Sequence, residues 1–135
     1  MCFEAGQILW IKLPFADGEK PEYPRTFLII GVEEDYVKCL NVSSLKGKEE
    51  KVYKSRNTLI NNSQSPLTKP SFAKLDALYI IEKNKKLKTC IFSNGKKINK
   101  QELEKVQKKF KKYKRENFFM FTEKRINKIV FYNYD

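Results

Sequence analysis

Residues 25–44, RTFLIIGVEEDYVKCLNVSS, decide how this chain folds. RTFLIIGV is a run of β-forming residues, apolar enough to lie at the centre of a sheet. The polar triplet Glu33, Glu34 and Asp35 makes a turn, and YVKCLNVSS is a further strand with partial alternation. Just upstream, KPEYP (20–24) is a loop with two prolines, so Arg25 stands at the mouth of a buried strand. An arginine is costly in apolar surroundings unless it has a partner, and its planar fork suits a phosphate.

Working outward, GQILWIKL (6–13) reads as an earlier strand and PFADGEKPEYP (14–24) as the loop after it. Beyond the central stretch, LKGK (45–48) turns the chain and EEKVYKS (49–55) is a short strand. Residues 57–71 are polar and loop-like, with Leu59 and Ile60 as candidates to dip into the core. FAKLDALYIIEK (72–83) is one more strand. The period then changes. Leu103, Val106, Phe110 and Tyr113 lie at spacings of three, four and three, one face of a helix. Asn99 and Glu102 have the spacing of a capping box that starts it. The aromatic tail holds KIVFYNY (128–134), which suits a last strand. Short strands followed by one amphipathic helix give a mainly β, α+β chain, compatible with a small SH3-like β-barrel carrying a helix. At 135 residues the expectation is a single domain.

The formal net charge is +12, and its placement is uneven. Residues 83–115 hold 14 of the 28 basic residues and 2 of the 16 acidic ones, leaving the rest balanced at 14 of each. Such a block is either a footprint for a polyanion, nucleic acid first, or a solvated face. The chain has no histidine. That removes the Ser-His-Asp triad, the Cys-His pair and histidine acid–base catalysis, leaving Arg, Lys, Asp, Glu, Tyr, Ser and Thr. Cys2, Cys39 and Cys90 are scattered, with no spacing for a zinc site or a disulfide framework, so no metal or other cofactor is expected. No apolar run spans a membrane, and the opening residues lack the pattern of a signal peptide, so the expectation is a cytoplasmic protein.

Four stretches in order carry a resemblance: GQILWIKLPFADGEK (6–20), YPRTFLII (23–30), CLNVSSLKGK (39–48) and PLTKPSFAKLDALYIIEK (66–83). Together with the helix after them they are similar to the MazF/PemK family of toxin endoribonucleases. The resemblance covers about residues 6–113, and the tail over 116–135 extends beyond the family core. The family usually has Pro after the arginine, whereas here Pro24 precedes Arg25 and Thr26 follows. The family's usual threonine is replaced by Ser43 and Ser44. The resemblance implies a homodimeric, metal-independent, sequence-specific endoribonuclease (an mRNA interferase) acting on single-stranded RNA. The ribose 2′-hydroxyl attacks and leaves a cyclic phosphate. A separate antitoxin with an acidic, partly disordered tail covers the RNA groove.

That chemistry gathers negative charge on a phosphorane, which a fixed two-pronged donor stabilises best. Arg25 is therefore the candidate catalytic cation, facing the RNA groove rather than the core. Ser43, and after it Ser44, is a candidate further donor to the phosphate; the bland alternative for both is turn chemistry. Phe15 and Tyr23 are candidates to stack on unpaired bases, or else to pack the loop. Trp10 is expected as a core anchor rather than a base-stacking platform. Lys20, Lys46, Lys108, Lys109 and Lys112 are candidate phosphate contacts, with Lys111 beside the helical group. The runner-up reading is a non-catalytic RNA- or DNA-binding module on the same barrel.

Overall fold

The two central strands form at the expected residues, β2 as Arg25–Val32 and β3 as Tyr36–Ser44, paired antiparallel. The computed structural model describes residues 2–14, 19–20, 22–47, 50–51, 54–61, 66–67 and 69–127. β1 (Ile8–Ile11) adds antiparallel to the outer edge of β2. The other edge of β3 is divided. Tyr36 to Cys39 pair with β6 (Ala77–Glu82), and Val42 to Ser44 pair with β5 (Ser71–Lys74). β4 (Asn57–Ile60) pairs with β5, and β7 (Thr122–Ile126) runs parallel to β6. Among the described residues this is one seven-stranded, mainly antiparallel sheet whose ladders do not close into a ring.

Alternation sends the strands' side chains to two faces, and both are buried. Leu28, Ile30, Leu40, Val42, Leu78 and Ile80 lie on the face covered by helix α2 (Lys100–Glu116). Phe27, Ile29, Val37, Cys39, Tyr79 and Ile81 lie on the other, under Phe3, Leu13 and Leu87 of the short helix α1 (Lys85–Lys88). This explains the continuous apolar run in β2: neither face meets water. Ile30 is bulged out of register between Ile29 and Gly31, and its carbonyl accepts from Gln107 Nε2 of α2 at 2.7 Å. The bulge therefore becomes an attachment point for the helix.

Val106, Phe110 and Tyr113 are buried and Leu103 is partly buried, as the helical spacing requires. Asn99 caps α2 through bonds from the amides of Gln101 (2.8 Å) and Glu102 (3.2 Å). The reciprocal half of the capping box takes another form: Glu102 Oε1 accepts from Asn61 N at 2.6 Å and joins the helix to the end of β4. Gly6 has φ +100, and a Cβ there would stand 3.1 Å from that of Lys97, so only glycine fits this close approach.

Several expectations shift. The 72–83 run is two strands, broken at Leu75 and Asp76. The fourth strand is Asn57–Ile60, inside the segment expected to be a loop, with Ile60 fully buried. The expected 49–55 strand does not form at its described residues: Glu50 and Lys51 lie in a 3-10 turn, Lys54 in a bend and Ser55 in a turn. The expected 128–134 strand lies outside the described residues. The tail instead supplies β7, where TEKRI pairs with the buried residues Ala77 to Ile81 of β6. Phe121 rests against Phe110, ring centroids 5.6 Å apart. Replacing the cap, Asn99→Ala, is expected to lower stability by about 1 kcal/mol. Urea unfolding with an unchanged slope checks this; no loss would mean that packing alone starts the helix.

Candidate functional site

The divided edge of β3 creates a cavity. Between its two ladders only Leu40 and Asn41 stand on β3, while residues 74–78 stand opposite. Five residues facing two make a wide bulge, which bends the chain and takes side chains out of the ladder. The freed backbone groups find partners elsewhere: Leu75 N donates to Arg56 O (2.6 Å), and Asp76 O accepts from Thr122 N (2.9 Å). At this fork lies a cavity of about 190 Å³, lined by Arg25, Asn41, Lys74, Asp76 and Tyr79, with Met120 among the residues around it.

Arg25 is half-buried here, and its surroundings answer the problem of its position. Nη2 donates to the carbonyls of Leu13 (3.1 Å) and Pro14 (3.3 Å), where the chain leaves β1. The guanidinium carbon lies 5.2 Å from the centre of the Phe27 ring. Tyr79, buried edge-on against Phe27, donates its hydroxyl to the same Pro14 carbonyl at 3.3 Å. Asn41 is buried and donates from Nδ2 to Thr26 O at 3.0 Å. The cavity wall is thus rigid, and Arg25 is part of it. Asp76 is also felt at the end of α2. Burial first, and the charge of Asp76 second, push the Tyr113 hydroxyl above its usual range, against the pull of Arg56.

Ser43 and Ser44 line a different concavity. This groove, of about 260 Å³, lies where α2 does not cover the sheet, and Trp10, Thr26, Lys69 and Phe92 complete its walls. Ser44 is exposed and its Oγ accepts from Lys46 N at 3.2 Å, a turn bond. Ser43 is half-buried and pairs with Phe72. Trp10 departs from its expected role as a core anchor. It is 49% exposed, on the wall of the groove.

The expected trio is therefore split, Arg25 at the fork and the two serines in the groove. Lys20 and Tyr23 are exposed in the segment before β2, and Lys46 is exposed after β3. Lys108, Lys109 and Lys112 are exposed on the outer side of α2, and none of them lines the fork cavity or the groove. Phe15 lies outside the described residues. Lys74, Asp76, Lys69 and Phe92 were not singled out from sequence. For Lys74 and Asp76 the signal was there, in the charged residues that interrupt FAKLDALYIIE.

Cys39 is fully buried, which pushes its thiol far above the usual range and makes it inert. Among the described residues no group of three or more His, Cys, Asp or Glu side chains forms a metal donor set, and no helix is long and apolar enough to cross a membrane. Compared with protein-family models and with curated proteins, the chain gives no match.

Removing the tether tests the reading of Arg25 as part of the wall. Hydrogen bonds to a charged group are worth roughly 1.5–3 kcal/mol, and Arg25→Ala is expected to cost that much stability. The measurement is urea unfolding of the variant. A stability equal to that of the wild type would mean the two carbonyls are satisfied equally well by water.

Proposed function

We propose that the chain is a metal-independent endoribonuclease of the MazF/PemK kind, cleaving single-stranded RNA at the fork cavity. One observation carries the reading: a guanidinium, an ammonium and a carboxylate, from Arg25, Lys74 and Asp76, line one open cavity. Those are the groups a histidine-free enzyme needs for transesterification. In this reading the Asp76 carboxylate takes the proton of the ribose 2′-hydroxyl, whose oxygen attacks the adjacent phosphorus. Arg25 and Lys74 stabilise the charge of the phosphorane. The 5′-oxygen leaves with a proton from the Lys74 ammonium, giving a 2′,3′-cyclic phosphate and a 5′-hydroxyl, and Asp76 returns its proton through water. Asn41 and Tyr79 hold the wall against which the phosphate rests. The sheet is read as an SH3-like barrel open between β1 and β4, and the partners as a second copy of the chain and an acidic antitoxin.

A second reading has its own observation. The bonds from Arg25 to Leu13 and Pro14 occupy donors that catalysis needs, which favours a module that binds RNA without cutting it. Single-turnover cleavage of a short single-stranded RNA in excess EDTA separates the two. Asp76→Asn, Lys74→Gln and Arg25→Lys are each expected to lose ~10²–10³ in rate, the cost typical of one preorganised group. Circular dichroism checks that each variant is folded. Wild-type rates in folded Asp76→Asn would place the base elsewhere. RNA shifted in a gel but never shortened would establish the binding module.

The cations divide in the same way. Lys69 lines the groove and Lys46 is bonded through its amide to Ser44, which also lines it, while none of the helical lysines lines either concavity. Changing Lys46 and Lys69 to Gln is expected to reduce the log–log salt slope of RNA binding by roughly 1.4, at ~0.7 per lost contact. The fourfold change Lys108→Gln, Lys109→Gln, Lys111→Gln and Lys112→Gln is expected to reduce it by less than one contact. The reverse order would make α2 the phosphate-binding surface.

A further inference from the structure

Trp10 and Phe92 are 49% and 45% exposed, large aromatic surfaces left in water beside one groove. Their spacing follows from backbone pairing. Leu9 and Ile91 form an antiparallel bridge, Trp10 N donates to Cys90 O (2.9 Å), and Phe92 N donates to Ile8 O (2.8 Å). Trp10 is therefore opposite Cys90, and Phe92 opposite Ile8, so the two aromatics are diagonal neighbours on one face. Diagonal neighbours stand about 7–8 Å apart at the backbone, within reach of aromatic side chains, so both rings border the same groove.

The rest of the groove gives the occupant's chemistry. Ile8, Val42 and Leu67 make an apolar floor, and Thr26, Ser44 and Ser71, on the same face as Val42, add polar residues to its wall. Lys69 lines it too, and Lys46 follows on from Ser44. A ring with hydrogen-bonding edges attached to an anionic backbone meets all of these, whereas an apolar peptide side chain would use only the floor. The volume, about 260 Å³, falls just below the range of roughly 300–1,000 Å³ that takes drug-sized ligands. The net charge of +12 favours a polyanion.

We propose that the groove between Trp10 and Phe92 is a subsite for one unpaired nucleobase of single-stranded RNA. The proposal rests on the RNA reading above and adds to it a place where the strand is gripped away from the reacting phosphate. Arg25 lines the fork cavity and Thr26, the next residue of β2, lines the groove. An RNA strand that turns about the start of β2 reaches both. The aromatic faces supply stacking, which accepts any base, and the hydroxyls supply whatever preference there is.

Trp10 is the only tryptophan of the chain, so its emission reports the groove directly. The full chain is titrated with a short end-labelled single-stranded RNA while label anisotropy and tryptophan emission are followed together. The expected result is quenching that saturates with the anisotropy. Phe92→Ala is expected to raise Kd roughly 5- to 150-fold, the range for one lost base stack, and Phe92→Tyr to restore most of the affinity. If RNA binds and is cut while emission stays constant and Phe92→Ala binds like wild type, the subsite is wrong and the nuclease reading survives. If RNA neither binds nor is cut, the nuclease reading falls and the subsite with it. Two further arms name other occupants. Quenching by a leucine- and phenylalanine-rich peptide that RNA cannot displace would make the groove a protein-docking site. An emission change on raising protein concentration alone would make it a contact between copies. Either result overturns the proposal.

Discussion

The division of one strand edge is the constraint on which the rest of this structure depends. β3 gives one edge to β2 and splits the other between β5 and β6. A strand cannot pair with two partners without a gap between them, and the gap here is the bulge at residues 74–78. The bulge bends what would be one long strand and takes Lys74 and Asp76 out of pairing with β3, while Lys74 still pairs with Asn57 of β4. Its backbone is tolerated only because Arg56 and Thr122 take up the groups it frees. The segment before β4 and the start of β7 are thereby tied to the same point, so the fork organises elements distant in sequence.

In the proposed reading Arg25 has two duties, and they pull against each other. It is held by the carbonyls of Leu13 and Pro14 and lies over the Phe27 ring. A cation fixed in that way needs little reorganisation when charge develops in front of it, which is the condition for electrostatic catalysis. The same bonds reduce the donors it can offer a phosphate. Lys74 lines the same cavity, and in the proposed reading its positive charge meets that shortage.

The regular parts of this fold were legible in the sequence because each carries a local signal, a run of β-forming residues or a helical period. RTFLIIGV and YVKCLNVSS give β2 and β3 at the expected residues, and the 103-106-110-113 spacing gives α2 with its core face. What was hidden depends on pairing. FAKLDALYIIEK has strand composition throughout, and only the partner change of β3 breaks it in two. NTLI looked like loop because its apolar residues are few, yet β5 supplies a ladder and the core takes Ile60. TEKRI has no apolar alternation of its own, and becomes a strand by lying beside β6. At the site, Arg25 stood out by its place before an apolar run. Lys74 and Asp76 were visible as charges interrupting an apolar strand, but that they line one cavity with Arg25 depends on the partner change of β3. Trp10 has the composition of a core residue in its strand, and only the tertiary packing leaves it exposed beside the groove.

The central claim is that this histidine-free chain cuts RNA by attack of the 2′-hydroxyl. Mapping the ends of fragments from a long single-stranded RNA, incubated with the purified chain in excess EDTA, tests it most directly. The account predicts 2′,3′-cyclic phosphate on one side of each cut and 5′-hydroxyl on the other. Fragments ending in 3′-hydroxyl and 5′-phosphate, or RNA recovered at full length, would contradict it.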